Sequence, residues 1–138
     1  MKLLTFQTRQ FGWTPFSKTL DDAPPPGDPT EVSEAVVVFM HVEEADLAED
    51  GRARAFKKTI KHLKWLANKR EMKNIVLHSF AHLGGGNADP SEALVFMEDV
   101  ADRLRTTGYD VWITPFGYFC SWNIDVYGES LAKVFKSF

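Results

Sequence analysis

The sequence predicts an α/β (α+β) domain in which a β-sheet carries two main helices packed on one face. An unbroken apolar and β-branched run, Ala35 to Val42, is typical of a strand that is covered on both faces. In two later segments, 53–67 and 93–104, apolar residues recur three or four positions apart, which is the spacing of a helix that buries one side. The 138 residues, of which 44% are hydrophobic and 25% charged, suit one domain with its own core. We therefore expect residues 1–138 to form a single domain.

The N-terminal part of the chain is predicted to be extended, apart from one long loop. Residues 3–8 form a predicted strand, and residues 11–16 (FGWTPF) form a predicted turn that leads to a second extended piece. Four prolines and a glycine in residues 21–30 (DDAPPPGDPT) exclude a helix or a central strand, so this segment is predicted to be a surface loop. The apolar run at 35–42 then forms a central strand.

The first long helix, over residues 53–67, carries a local excess of positive charge. Nine Lys and Arg residues lie between Arg52 and Lys73 against one acid, whereas the net charge of the whole chain is -3. Four lysines lie outside the apolar stripe of this helix: Lys57, Lys58, Lys61 and Lys64. A patch of this kind attracts a phosphate backbone. An ordinary solvated helix face is the alternative interpretation.

A predicted strand at 74–78 and a glycine-rich connection at 84–88 lead into the second long helix. Asp89 is expected to cap the free amides of its first turn, and Pro90 suits its first position. Gly108 is expected to end this helix, because glycine readily adopts the left-handed conformation found there.

Two strands and a helix are predicted to complete the chain. The strands cover residues 109–114 and 121–127, on either side of a bend at 115–117. A short amphipathic helix is predicted at the C-terminal end from the spacing of four apolar residues, Leu131, Val134, Phe135 and Phe138.

The first candidate site lies just past the buried strand at 74–78, in Ser79, Phe80, Ala81 and His82. Because His82 stands beside a glycine run that supplies no packing, its ring is expected to face an open space. An imidazole in such a place transfers a proton or holds a polar substrate group near neutral pH. A structural hydrogen bond at a strand end is the alternative.

The second candidate site, residues 115–122, gathers aromatic side chains around a glycine: Phe116, Gly117, Tyr118 and Phe119. Aromatic walls beside a bare glycine backbone sandwich a base or a ribose and leave amides free to hydrogen bond. A core hairpin with ordinary aromatic packing is the alternative. The one cysteine of the chain, Cys120, lies in this segment, where a lone cysteine is commonly an inert small hydrophobe.

Neither a metal site nor a cofactor is predicted. His78 and His82 would stand about 13 Å apart on an extended chain, too far for one ion. A single cysteine excludes a multi-cysteine zinc site. The glycines at 84–86, ahead of a helix N-terminus, suit a phosphate or a carboxylate, but they match neither the Walker pattern nor the dinucleotide fingerprint. A flexible linker is the alternative.

Taken together, these segments resemble the N-terminal editing domain of archaeal threonyl-tRNA synthetase. The resemblance rests on FAHL at 80–83, on Pro90-Ser91 at a helix start and on TPFGYF at 114–119, in the family's order and spacing. The strand at 34–43 (EAVVVFMHVE) fits the same domain, so the resemblance covers nearly the whole chain. It implies a fold similar to that of D-aminoacyl-tRNA deacylases, which are usually homodimers. The family's reaction is hydrolysis of serine wrongly attached to threonine tRNA.

The resemblance also implies a mechanism and partners. Water attacks the aminoacyl ester at the terminal adenosine, helped by backbone groups and by the ribose hydroxyl of the tRNA itself. Ala81 and His82 would line the aminoacyl pocket, with residues 116–119 as the opposite wall. The lysines of the basic helix would contact tRNA phosphates. Expected partners are therefore tRNA, threonyl-tRNA synthetase and a second copy of the chain.

Two positions depart from the family pattern. Cys120 stands where the family carries a lysine that organises the reacting water, and Lys133 stands where the family carries an acid. Lys133 could bring its ammonium group into the vacated space, and Cys120 could act as a nucleophile assisted by His82. Two hypotheses follow: a deacylase that works with this altered set, or a binding module that kept the pocket and lost hydrolysis.

The rest of the chain bears on where and how such a domain acts. Residues 1–138 contain no region expected to bind ATP and threonine, so we expect editing in trans by a free-standing domain. The start, Met1 to Gln7, has too short an apolar run for a signal peptide, and no stretch reaches the length of a membrane span. A cytoplasmic location is therefore expected.

Overall fold

A computed structural model describes all 138 residues as six strands, three helices and a short 3-10 turn. The strands are β1 (Lys2–Lys18), β2 (Thr30–His41), β3 (Asn74–Ser79), β4 (Asp110–Ile113), β5 (Tyr118–Val126) and β6 (Lys133–Ser137). The helices are α1 (Glu44–Leu47), α2 (Arg52–Lys69) and α3 (Pro90–Thr106), and the 3-10 turn is Ser130–Ala132. The proline-rich segment between β1 and β2 forms no helix or strand, as predicted.

All six strands belong to one sheet. Its path runs β4-β3-β2-β1-β5, while β6 pairs with the first residues of β1. β2, β3 and β4 are parallel, and the helices α2 and α3 lie in the crossovers that parallel strands require. β1 is antiparallel to β2, β5 and β6. The predicted mixed α/β class is therefore confirmed.

β2 is the central strand of the sheet, and its sequence explains why. Residues 35–42 are all buried, because the strand has strands on both edges and packing on both faces. Val36, Val38 and Met40 belong to the core cluster of 23 buried residues that the helices share. Val37 and Phe39 point to the opposite face, into a second cluster of 7 buried residues. A continuous apolar run is the pattern that burial on both faces requires.

Both long helices pack on the same face of the sheet. Their apolar stripes are buried where predicted, with Leu63 of α2 and Phe96 of α3 fully enclosed. Burial of such side chains stabilises the fold by about 1.5 to 3 kcal/mol each. At the start of α3 the Asp89 carboxylate accepts the amide N–H of Ser91 at 3.0 Å, and Gly108 follows the helix with a φ of 98°. None of the helices combines the length and apolar character needed to cross a membrane.

The predicted turn at 11–16 is wrong, because β1 continues through it as one strand of 17 residues. Gly12 and Pro15 suggested a break, but β1 pairs with β2 on one edge and with β5 on the other, and this pairing overrides the local signals. Pro15 lies at a register shift toward Ser17, a place that tolerates a residue without an N–H.

The predicted C-terminal helix is also wrong. Residues 133–137 form β6, which pairs antiparallel with Lys2 to Phe6 of β1. Val134 and Phe138 are half-buried against the main core, whereas Phe135 is 54% exposed. The helical spacing of these apolar residues is therefore not used, because a distant strand edge takes up the backbone hydrogen bonds instead.

Candidate functional site

A cavity of about 380 Å³ opens at the C-terminal ends of β2 and β3 and at the N-terminus of α3. Twelve of its 19 lining residues are hydrophobic. Ligands bind at this place in parallel α/β sheets, because the strands end there and the loops that follow them diverge. The volume lies in the range of small-molecule sites.

One wall of the cavity is the first candidate segment, Ser79 to His82, which follows β3 directly. The Phe80 N–H donates to the carbonyl oxygen of Met40 at 3.0 Å, which keeps the segment beside β2 past the end of the strand. His82 is exposed, and its ring packs edge-on against Phe80 with 5.3 Å between the ring centroids. Its imidazole therefore faces the open cavity, as the neighbouring glycines suggested.

The opposite wall is the second candidate segment, Phe116 to Cys120. Gly117 has a φ of 85°, and a Cβ atom there would lie 2.8 Å from Cβ of Ala23 in the proline-rich loop. The Gly117 carbonyl accepts the N–H of Thr19 at 2.7 Å, and the Tyr118 hydroxyl donates to the carbonyl of Pro24 at 2.7 Å. Gly117 thus lets the proline-rich loop close against this wall. The start of that loop, Thr19 and Leu20, lines the cavity.

His41, which was not among the predicted site residues, anchors the glycine-rich loop beside the cavity. It is 1% exposed, and its Nδ1 accepts the Leu83 N–H at 3.2 Å. Because Nδ1 accepts, Nε2 carries the proton and donates to Gly86 O at 2.9 Å and to Asn87 Oδ1 at 2.7 Å. A histidine at the end of a fully apolar strand was the signal that could have identified it.

His78, which the sequence suggested only as a metal ligand, lies in the cavity wall. Its Nδ1 lies 2.8 Å from Oγ1 of Thr114, and it is 7% exposed. Burial lowers the pKa of His78 from 6.5 to about 4, so the ring is neutral at physiological pH. The structure contains no group of three or more His, Cys, Asp or Glu residues arranged to hold a metal ion.

Comparison with known proteins identifies the family of this chain. The profile described as the Archaea-specific editing domain of threonyl-tRNA synthetase matches residues 1–138. The chain belongs to this family. Two relatives are threonine–tRNA ligases. The one from Staphylothermus marinus is 31% identical over 144 residues, covering 99% of this chain and 22% of that protein. The one from Thermococcus kodakarensis is 26% identical over 140 residues, covering 99% and 22%.

The chain therefore spans about a fifth of the length of these curated relatives. A solved structure titled c-Myc DNA Unwinding Element Binding Protein has a TM-score of 0.67 with this chain, at 13% identity, and covers 99% of this chain and 98% of its own. At this identity the likeness concerns the fold alone. The predicted mixed α/β architecture is therefore one that this solved structure shares.

The two departures of this editing domain lie in different places. Cys120 is half-buried and lines the cavity, and burial raises the pKa of its thiol. A thiol with a raised pKa is a poor nucleophile at neutral pH, and no hydrogen bond joins Cys120 to His82. Lys133 is not brought to the cavity. It is exposed on β6, and its Nζ donates to the carbonyl of Gly128 at 3.3 Å.

One consequence is that the cavity of this editing domain has no charged side chain from Lys, Arg, Asp or Glu in its lining. The polar groups that remain are backbone amides and carbonyls, hydroxyls, one side-chain amide, one thiol, one indole and two imidazoles. Interactions with a substrate in this cavity are therefore hydrogen bonds and aromatic contacts, without a fixed ion pair.

The four lysines of the basic patch lie on α2, outside the cavity lining. Lys57, Lys61 and Lys64 are four and three residues apart and share one side of the helix. Lys57 and Lys61 border a shallow groove with Arg103 of α3. Lys58 lies on a different side, with its Nζ 5.8 Å from the ring centroid of Phe138. The four lysines therefore form two separate surfaces on α2. The surface with three lysines has the higher density of positive charge.

Proposed function

We propose that this chain removes serine wrongly attached to threonine tRNA, by hydrolysis of the aminoacyl ester in trans. The observation that carries the proposal is the meeting of two segments across one cavity. Ser79 to His82 and Phe116 to Cys120 line it from opposite sides, in a chain that belongs to the editing-domain family. All of these lining residues come from this chain, which supports activity in trans.

In the proposed complex the aromatic wall receives the terminal adenosine. Phe116, Tyr118 and Phe119 line this side, and aromatic faces stack on bases whatever their sequence. The aminoacyl group then points toward Ala81 and His82. His82 is an exposed imidazole at the cavity, so it is our candidate to accept a proton from the attacking water. Backbone amides of this wall and the ribose hydroxyl would stabilise the charge that develops on the ester oxygen.

The test is a single-turnover assay with seryl-tRNA prepared in advance on threonine tRNA. With the chain in excess, we expect serine to be released faster than in buffer, and we expect His82→Ala to slow that release by about 100-fold. Correctly charged threonyl-tRNA serves as the control substrate and should be hydrolysed more slowly. No acceleration by stoichiometric protein would refute the proposal.

The second candidate function is a binding module that retains the pocket without hydrolysis. It is favoured by the neutral cavity, where Cys120 replaces the lysine that the family resemblance associates with the reacting water. This module would bind tRNA or a seryl-adenosine analogue without turnover. A decisive pair of variants is Cys120→Lys and Cys120→Ala. Hydrolysis that appears only in Cys120→Lys would favour the module, whereas hydrolysis in the unaltered chain and in Cys120→Ala would favour the deacylase.

Contacts outside the cavity complete the proposal. Lys57, Lys61 and Lys64 would contact tRNA phosphates on one side of α2, and Lys58 would do so from the adjacent side. Threonyl-tRNA synthetase would supply the mischarged tRNA and is the expected protein partner. We place the reaction in the cytoplasm because mischarged tRNA is corrected where translation uses it, and cell fractionation would test this location.

We also propose a homodimer. β5 is at one end of the sheet path and exposes apolar side chains, among them Phe119 at 63% and Ile124 at 37%. An exposed apolar edge strand is a ready surface for pairing with a second chain. Sedimentation equilibrium should give twice the mass of the chain, and Ile124→Glu should shift it toward the mass of one chain. A single-chain mass for the unaltered protein would refute the dimer.

A further inference from the structure

His78 is the most deeply buried polar side chain in the wall of the cavity. It is 7% exposed, whereas the other polar lining residues are half-buried or exposed. Aromatic rings surround it: the ring centroids of Phe39, Trp122 and Phe80 lie at 5.1, 5.0 and 6.4 Å. His78 thus places a buried imidazole among aromatic rings in this part of the cavity.

The partner of His78 determines where its proton lies. Nδ1 is 2.8 Å from Oγ1 of Thr114, which is itself 3% exposed and makes no other side-chain hydrogen bond. A buried hydroxyl hydrogen without an acceptor is costly, and Nδ1 is the acceptor at hand. The Thr114 hydroxyl therefore donates to Nδ1, and the proton of the neutral ring is on Nε2.

Nε2 of His78 is available to a ligand. No protein group forms a hydrogen bond with Nε2. Only two side-chain polar atoms are both fully buried and unpaired, Thr59 Oγ1 and His62 Nε2, so the unpaired Nε2 of His78 is not fully buried. Since His78 lines the cavity and its Nε2 is neither enclosed nor paired, we infer that Nε2–H is accessible from the cavity. A neutral donor among aromatic rings suits a neutral oxygen. A carboxylate would lose its hydration there without gaining a cation.

We propose that His78 selects the amino acid, by donating a hydrogen bond from Nε2 to the side-chain hydroxyl of a hydroxylated aminoacyl group. The surrounding aromatic rings pack against the carbon atoms of that group. This inference rests on the proposed function, because it takes the cavity to be the aminoacyl site. The contact favours serine over alanine and does not by itself separate serine from threonine. An alanyl group would leave Nε2–H unpaired, which corresponds to a preference of about 10- to 100-fold.

The first experiment compares seryl and alanyl esters on the same tRNA under single-turnover conditions. The unaltered chain should hydrolyse the seryl ester about 10- to 100-fold faster. His78→Phe removes the donor and keeps a ring, so it should bring the ratio of the seryl rate to the alanyl rate close to one. Thr114→Val should reduce the ratio as well, because it removes the group that orients the ring. The matched control is His62→Phe on α2, which should leave the ratio unaltered.

The second experiment needs no turnover. In protein labelled with ¹⁵N-histidine, the Nε2–H resonance of His78 should shift when a non-hydrolysable seryl-adenosine amide is added and stay in place with the alanyl amide. If this shift occurs but neither ester is hydrolysed, the deacylase proposal fails and the inference about His78 stands. If esters are hydrolysed with no seryl preference, or with a preference that survives in His78→Phe, the inference fails and the deacylase proposal stands. Equal shifts with both amides would also overturn it.

Discussion

The cavity and the outer side of α2, which we propose to bind different parts of the substrate, are built from opposite kinds of residue. The cavity has no Lys, Arg, Asp or Glu in its lining, and its imidazole at His78 is kept neutral by burial. The outer side of α2 presents Lys57 and Lys61 to solvent and no acid in its first turn. Hydrogen bonds in an enclosed neutral site depend on geometry, whereas exposed lysines act through a field that salt screens.

Because of this difference, we expect the two regions to contribute to different measurable quantities. The cavity should set which ester is recognised and how fast it reacts, with little dependence on ionic strength. The lysines should set how tightly tRNA is held, with little dependence on which amino acid it carries. Experiments that alter charge in one region and leave the other intact can therefore separate the two.

The largest expected effect is on stability, and it comes from protonation of His78 in the cavity wall. The pKa of His78 is lowered to about 4 in the folded chain from 6.5, so the unfolded chain binds a proton between these values and the folded chain does not. Stability is therefore lost as pH falls through this window, by about 2 to 3 kcal/mol between neutral pH and pH of about 4.5.

Urea unfolding at several pH values measures this loss. His62 adds a contribution of the same sign, because burial and Lys136 lower its pKa too, so the comparison with His78→Phe isolates His78. The pH dependence should be much weaker in that variant. An equal slope in both proteins would show that His78 is not held neutral by the fold.

A slightly smaller effect is expected from closing the space at Gly117. Gly117→Ala places a Cβ 2.8 Å from Ala23 and a side chain at a φ of 85°, so we expect a loss of about 1 to 3 kcal/mol in the free energy of unfolding and a displaced cavity wall. Deacylation should fall with it. Gly128→Ala is the matched control, because a Cβ there meets no atom within 4 Å. Equal stability of the two variants would contradict this account.

The next largest effect is expected in the glycine-rich loop that His41 holds. His41→Ala removes the acceptor for the Leu83 N–H and the donor to Asn87, so we expect a loss of about 1 to 2 kcal/mol, concentrated in the loop. Hydrogen exchange at the Leu83 amide should be faster while exchange in β2 changes less. Unchanged exchange at Leu83 would show that the loop is held by other contacts.

The smallest effect on the fold, but a clear one on binding, is expected at the basic side of α2. Replacing Lys57 and Lys61 by Gln should flatten the dependence of log affinity on log salt by about 1.5, with little change in stability. The control replaces Lys133 and Lys136 on β6 by Gln, which removes the same charge from another surface. If both double variants lose the same amount of affinity, the α2 lysines act only through the net charge of the protein.

Local patterns predicted the elements whose partners are close in sequence. Periodic apolar residues predicted α2 and α3, and Asp89 predicted the start of α3. Capping and one-sided burial of a helix both depend on residues that are only a few positions apart. β6 could not be predicted in this way, since Lys133 to Ser137 pairs with strand residues at the other end of the chain. The continuity of β1 through Gly12 likewise depends on strands that are distant in sequence.

The candidate site shows the same division. FAHL and PFGY could be recognised as local motifs, and both line the cavity. The position of His41 at the end of an apolar run was a local signal, but its partner Leu83 could not be predicted from that run. The contribution of His78 could not be recognised, because it depends on Thr114, which is far along the chain. Lys133 was a candidate only by its position in the family pattern, and the backbone of β6 directs it away from the cavity.

The most direct test of this account is the rate of serine release from seryl-tRNA at saturating protein, measured at about 50 mM and about 200 mM salt. The account predicts that the protein accelerates release, that the rate constant at saturation is nearly the same at both salt concentrations, and that the half-saturating protein concentration rises by about 20-fold or more for three phosphate contacts. A saturated rate that falls as steeply as the affinity, or no acceleration at either concentration, would contradict it.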